Sequence, residues 1–180
     1  CPHDRKFCNK IMYGSAWRTK SLSQIRLEIE TAVERHHYRT GYFFDLEFLS
    51  DRGLAEEICD FLIFKQYPFR WCCQTRADSL DECILDKMKK AGCRLIHLGL
   101  ESAQQKYLDL SGKNMRLAQG REAVTMCRSA GIQSLVFLLF GFSGETQEER
   151  EAALRFVQEC DPDYVSFHKL YPYREGAFYL

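Results

Sequence analysis

Apolar positions along the chain alternate between short continuous runs and longer stretches of helical spacing. Ile25, Ile29 and Val33 recur on one face after Ser21, which predicts a helix capped by Ser21 and reaching about residue 38. Residues 42–44 form a short aromatic strand, followed by Asp45-Leu46-Glu47. A helix follows over about 51–65, then a strand over 69–75 that ends at Arg76. Residues 81–91 read as a helix stopped by Gly92, and 94–100 as a strand ending at Glu101-Ser102. Two helical pieces, about 103–110 and 117–130, come next, the second stopped by Gly131. Residues 132–140 are a strongly apolar strand that runs into Gly141-Phe142-Ser143-Gly144-Glu145. Thr146 caps a helix reaching Glu159, and 164–170 is the last strand, ending at Tyr171-Pro172.

Strand and helix alternate throughout, and the strands are continuous apolar runs. That combination predicts an α/β fold: a parallel sheet covered by helices and joined by right-handed crossovers. In such folds a ligand sits at the carboxyl ends of the strands. The polar and glycine positions of this chain fall at those ends: Asp45, Glu47, Arg76, Glu101, Ser102, Gly141 and Gly144. Each also has a plainer reading. Asp45 and Glu47 suit a solvated turn, Arg76 a pair with Asp78 or Asp81, and the two glycines an ordinary turn. Glu101 resists that reading, because it interrupts a buried run on the ligand side. A Rossmann-like nucleotide site is the generic alternative, but no G-x-G-x-x-G follows the first strand.

Length and composition narrow the class. The 180 residues suit a single domain over 1–180, and 46% hydrophobic residues supply a core. Lys+Arg and Asp+Glu both number 25, so the formal charge is zero, which argues against broad electrostatic binding to nucleic acid or anionic membrane. No apolar run approaches a membrane span, and no signal peptide is visible. The chain begins at Cys1 with no strand ahead of it and reads as a segment of a longer protein. Cys59, Cys83, Cys93, Cys127 and Cys160 are scattered singly, as small hydrophobes in a reducing cytoplasm would be. Cys72 and Cys73 are adjacent in a strand and point to opposite faces, which disfavours joint ligation. His3, His97 and His168 are isolated, a setting in which histidine is ordinarily packed or hydrogen-bonded.

Candidate metal chemistry lies in the first eight residues, Cys1-Pro-His-Asp-Arg-Lys-Phe-Cys8. Cys1 and Cys8 have the spacing of the outer pair of a C-x3-C-x2-C loop, the arrangement that leaves one iron of a [4Fe–4S] cluster open to an outside ligand. The middle position is Arg5, a cation with no lone pair to give a metal. A small zinc site at Cys1 and Cys8 is a further option, but a second ligand pair at finger spacing is missing.

From here the chain resembles the radical SAM superfamily over nearly its whole length, and in particular the branch whose members often carry a cobalamin-binding domain ahead of the core. The resemblance rests on stretches in order: Cys1 to Cys8; Trp17-Arg18-Thr19-Lys20-Ser21 with Glu28; Phe44-Asp45-Leu46-Glu47-Phe48; Thr75-Arg76-Ala77-Asp78 with Met88 and Ala91-Gly92-Cys93; Gly99-Leu100-Glu101-Ser102 with Lys113; Phe140-Gly141-Phe142-Ser143-Gly144-Glu145-Thr146; and Leu170-Tyr171-Pro172 with Gly176. Three places depart from the pattern: Arg5, Leu46 where an acid is common, and the ending around Arg174-Glu175 and Ala177.

That resemblance implies a partial (β/α)6-type barrel, TIM-barrel-like and truncated before its first strand. It implies a [4Fe–4S] cluster on Cys1 and Cys8, S-adenosylmethionine (SAM) as co-reactant, and Phe7 packed beside the adenine. Asp45 and Glu47 would receive the methionine amino group, Arg76 its carboxylate, and Glu101 and Ser102 the ribose or sulfonium end. Gly141 would let backbone approach the adenine, and Tyr171 would offer a backbone or stacking contact. The implied reaction is one-electron reduction of the sulfonium to a 5′-deoxyadenosyl radical that abstracts a substrate hydrogen. The implied partners are a small-molecule substrate and an electron donor such as a flavodoxin or ferredoxin, with cobalamin on a domain not present here. Arg5 leaves three explanations open: a variant or sequence error in a functional lineage, another ligand such as Asp4 or His3 that completes the site, or a degenerate, non-catalytic nucleotide-binding module.

Overall fold

The structure is a computed structural model and describes residues 18–171. Cys1, Arg5, Phe7, Cys8 and the 172–180 ending lie outside the described residues.

Helix α1 (Leu22–Glu30) starts where the sequence places it. Ser21 and Gln24 exchange side-chain and backbone hydrogen bonds in a capping box. The helix then widens into a π turn over Thr31–Arg35 and stops short of Tyr38, because His37 takes φ +57, a left-handed conformation no helix continues. Strand β1 (Thr40–Phe43) follows, then α2 (Arg52–Lys65), β2 (Arg70–Arg76) and α3 (Glu82–Lys90). Next come β3 (Cys93–Glu101), α4 (Gln105–Leu110), α5 (Leu117–Ser129), β4 (Gln133–Phe140), α6 (Gln147–Cys160) and β5 (Tyr164–Lys169). Side-chain caps start α2, α3 and α6 at Asp51, Asp81 and Thr146. Gly92 ends α3 at φ +100, and a Cβ there would run into the Phe69 carbonyl oxygen, so the turn into β3 requires glycine.

The five strands form one parallel sheet in the order β1-β2-β3-β4-β5. Each strand pairs with its neighbour in the chain, and each connection carries helix, as strand–helix alternation requires. Side chains alternate across the sheet. Trp71, Cys73, Ile96, Leu98, Val136 and Leu138 join one buried cluster with Ile58, Ile84, Met88, Val124 and Phe156 of the helices. Within it the Trp71 indole N–H donates to the Ala91 carbonyl at 2.8 Å, so its one polar atom is satisfied.

Most scattered cysteines pack as expected: Cys59, Cys93, Cys127 and Cys160 are buried. Cys83 differs. It is exposed, because the apolar face of α3 runs through Ile84, Leu85 and Met88 and leaves Cys83 on the outside. Cys72 is part-open and Cys73 buried, the opposite faces that alternation demands.

Candidate functional site

The polar positions singled out in the sequence stand at the carboxyl edge of the sheet, beyond or at the ends of β1, β2, β3 and β4. Their chemistry differs from one to the next.

Glu47 is buried and spends its carboxylate on protein. It caps the 3-10 turn Phe48–Ser50 by accepting the Leu49 N–H at 3.3 Å. It accepts the Arg76 N–H at 2.8 Å and a short hydrogen bond from the Thr75 hydroxyl. Arg76 is likewise engaged. Its guanidinium forks onto both Asp78 oxygens, at 2.7 and 2.6 Å, and donates to the Lys113 carbonyl at 2.7 Å. Asp81 pairs instead with Arg52, at 2.9 Å.

Asp45 is the more available acid. It lies on a groove of about 710 Å³ beside β1, shared with Arg18, Lys20, Glu28, Tyr42 and Phe44. Burial pushes its carboxyl above the usual range, and the Lys20 charge partly offsets that. A carboxylate in this setting gains from a cation brought into the groove.

Glu101 sits where β3 leaves the sheet. The β3–β4 register skips between Gly99 and Glu101, and Glu101 takes φ +69. Its carboxylate lies 3.0 Å from the Lys113 ammonium, and neither side chain is open to water. Ser102 is buried and its hydroxyl accepts the Gln104 N–H at 3.1 Å, closing the turn into α4. Gly141 has φ +95, donates its N–H to the Glu145 carboxylate at 2.6 Å, and has open space where a side chain would go. The adjoining Phe142 stacks on Tyr107 at 4.6 Å and 16°, over Leu170. Tyr171 is 67% exposed at the end of β5.

Two features were missed in the sequence. One is the burial of Lys113, which is invisible in a polar stretch between two helices. The other is a row of rings across the sheet face away from the helices. Tyr42 lies 5.3 Å from His97, His97 5.7 Å from Phe137, and Phe137 5.3 Å from His168. Burial lowers the pKa of His97, and His168 shares a 2.9 Å hydrogen bond with Ser166. Alternation along each strand was the available signal, but only the strand register reveals that the rings meet.

Among the described residues, no group of three or more His, Cys, Asp or Glu side chains could hold a metal ion. Cys1 and Cys8, which the resemblance gives as cluster ligands, lie outside them. The donor set at the edge does fit a ligand carrying an ammonium and a ribose: Asp45 and Glu101 are acceptors, and Gly141 leaves room for a ring to reach backbone. No helix among the described residues is long and apolar enough to cross a membrane.

The chain resembles known proteins over most of its length. The sequence profile of the Radical SAM superfamily matches residues 1–157. An uncharacterized methyltransferase of Pyrococcus horikoshii is 28% identical over 174 residues, covering 96% of this chain and 38% of that protein. The anaerobic magnesium-protoporphyrin IX monomethyl ester cyclase of Rubrivivax gelatinosus is 27% identical over 177 residues, covering 96% and 32%. The chain thus spans about a third of the length of these curated relatives. Among solved structures, the radical S-adenosylmethionine methyltransferase TsrM of Kitasatospora setae, with cobalamin and a [4Fe–4S] cluster bound, superposes with a TM-score of 0.85. It is 21% identical, and the match covers 94% of this chain and 32% of TsrM, a likeness of fold.

Proposed function

The chain belongs to the radical SAM superfamily, and on that premise we propose that it is the core of a radical SAM enzyme acting on a small molecule. One observation carries the reading: polar and glycine positions from successive strands converge on the carboxyl edge of a parallel sheet, where such folds bind ligands. Cys1 and Cys8 would hold a [4Fe–4S] cluster, with Phe7 beside the adenine. Asp45 would accept hydrogen bonds from the methionine ammonium, with Glu47 bracing the turn beneath it. Arg76 would serve the methionine carboxylate end through the network it shares with Asp78 and Lys113. Glu101 and Ser102 would meet the ribose, Gly141 the adenine by its backbone, and Tyr171 its rim. When bound, the cluster and SAM supply one-electron reductive cleavage of the sulfonium and, through it, hydrogen abstraction from substrate. The residues of this chain orient the ligand and limit water access. A flavodoxin or ferredoxin would deliver the electron, and cobalamin, which TsrM holds together with its cluster, would act from a separate domain.

Arg5 supports a second reading. Two thiolates in place of three weaken the cluster site, so the chain would keep the nucleotide pocket and lose catalysis. Anaerobic reconstitution with iron and sulfide, followed by reduction and EPR with and without SAM, separates the two. The enzyme reading expects a [4Fe–4S]⁺ signal that changes on adding SAM. A cluster that forms only in Arg5→Cys supports the non-catalytic reading. No cluster in either protein defeats the assignment of Cys1 and Cys8.

A further inference from the structure

Lys113 is a cation with 0% side-chain exposure, on the turn between α4 and α5. A buried ammonium is tolerated only when its hydrogen bonds are met. Here Nζ donates to the Gly99 carbonyl and, at 3.0 Å, to the Glu101 carboxylate. Both acceptors belong to the irregular end of β3, where the register skips and Glu101 is left-handed. An amino acid other than glycine holds that conformation only when its surroundings over-determine it. The backbone of Lys113 is used as well, since its carbonyl accepts from Arg76. One residue therefore ties the exits of β2 and β3 together. Gly99 makes the space: a Cβ there would lie 2.6 Å from the Glu101 carboxylate and 3.2 Å from Nζ.

We infer that the Lys113 side chain is a positioning group that fixes the Glu101 carboxylate for SAM and acts on the ligand through Glu101, not by direct contact. This rests on the function proposed above. Lys113 neutralises Glu101 and holds its oxygen and its left-handed backbone at the carboxyl edge, so the acceptor is in place before the ligand arrives.

The test is a double-mutant cycle read by SAM binding in anaerobic calorimetry on reconstituted protein, with cluster content and melting temperature measured for every variant. Glu101→Gln and Lys113→Met are each expected to weaken SAM about tenfold. The double variant should bind as Glu101→Gln does, because Lys113 has nothing left to position. Multiplied losses would mean that Lys113 meets the ligand itself, and a lowered melting temperature with unchanged SAM affinity would mean a purely structural role. Either result overturns the inference. If Lys113→Met does not fold, the double variant, which leaves no unpaired charge, is compared with Glu101→Gln alone. A wild-type protein that binds no SAM removes the proposed site and this role together, whereas wild-type binding that Lys113→Met matches removes only the role.

Discussion

Glu47 Oε2 accepts the backbone N–H of Arg76 at 2.8 Å, so the turn leaving β1 is fastened to the last residue of β2. The bond joins two exits of the sheet on the side where the polar residues gather. It also makes Glu47 a brace for the site.

Glu47→Ala should therefore destabilise the fold, by about 2–3 kcal/mol, since it strands the buried Thr75 hydroxyl and the Arg76 and Leu49 N–H groups. Urea unfolding followed by circular dichroism measures it. Glu47→Gln keeps an acceptor oxygen and should lose less. Equal stability of Glu47→Ala and wild type would refute the brace.

Glycine replacements should separate contact from conformation. Gly141→Ala meets no neighbour and carries only its φ of +95, so a loss of about 1–2 kcal/mol is expected. Gly92→Ala adds a collision with the Phe69 backbone to its φ of +100 and should lose clearly more. Thermal melts of the two variants side by side give the ranking.

Acid should loosen the polar tie between α4 and α6, in which Glu149 meets Lys106 and Tyr107. The Glu149 carboxyl is held down to about 2, from an ordinary 4.5, first by Lys106, then by the Tyr107 hydroxyl and the Thr146 N–H. A depressed carboxyl contributes stability above its unfolded value, and that contribution is lost as pH falls from about 4.5 toward about 2. Wild type should thus lose stability relative to Glu149→Gln across that window, while the difference stays constant above it. Parallel melting curves from neutral pH to pH 2 would contradict the assignment.

Thiol chemistry should report the fold. Burial pushes the Cys59 and Cys127 thiols up to about 12, and both are covered, whereas Cys83 is exposed. Iodoacetamide at pH 8, mapped by peptide mass, should label Cys83 in the native protein and reach Cys59 and Cys127 only after denaturation. Native labelling of Cys59 as fast as Cys83 would refute the packing of α2 on the sheet.

The sequence carried the architecture because its information is local. Strand and helix periods, the caps at Ser21 and Thr146 and the glycine after α3 each speak for their own segment, and their order implies the parallel sheet. The candidate site was legible only as a set of positions, which the structure puts at strand ends. What each residue does there was not. Glu47 finds Thr75 and Arg76 across a helix, and Arg76 finds the Lys113 carbonyl across another. Lys113 stands in the sequence only as a companion of the Gly99–Ser102 stretch, and its burial against Glu101 shows only once β3 is seen to bulge around it. The sequence places the helix end near His36-His37, but neither the π turn over Thr31–Arg35 nor the left-handed His37 is announced there.

The sheet order β1 to β5 follows the order of the chain. Each of β2 to β5 pairs with the strand made just before it, and among the described residues none is inserted between two strands already paired. Loop-closure entropy stays small at each addition. The domain can accordingly grow as it leaves the ribosome, one strand–helix unit at a time, with the newest strand as the only unfinished edge on the growing side.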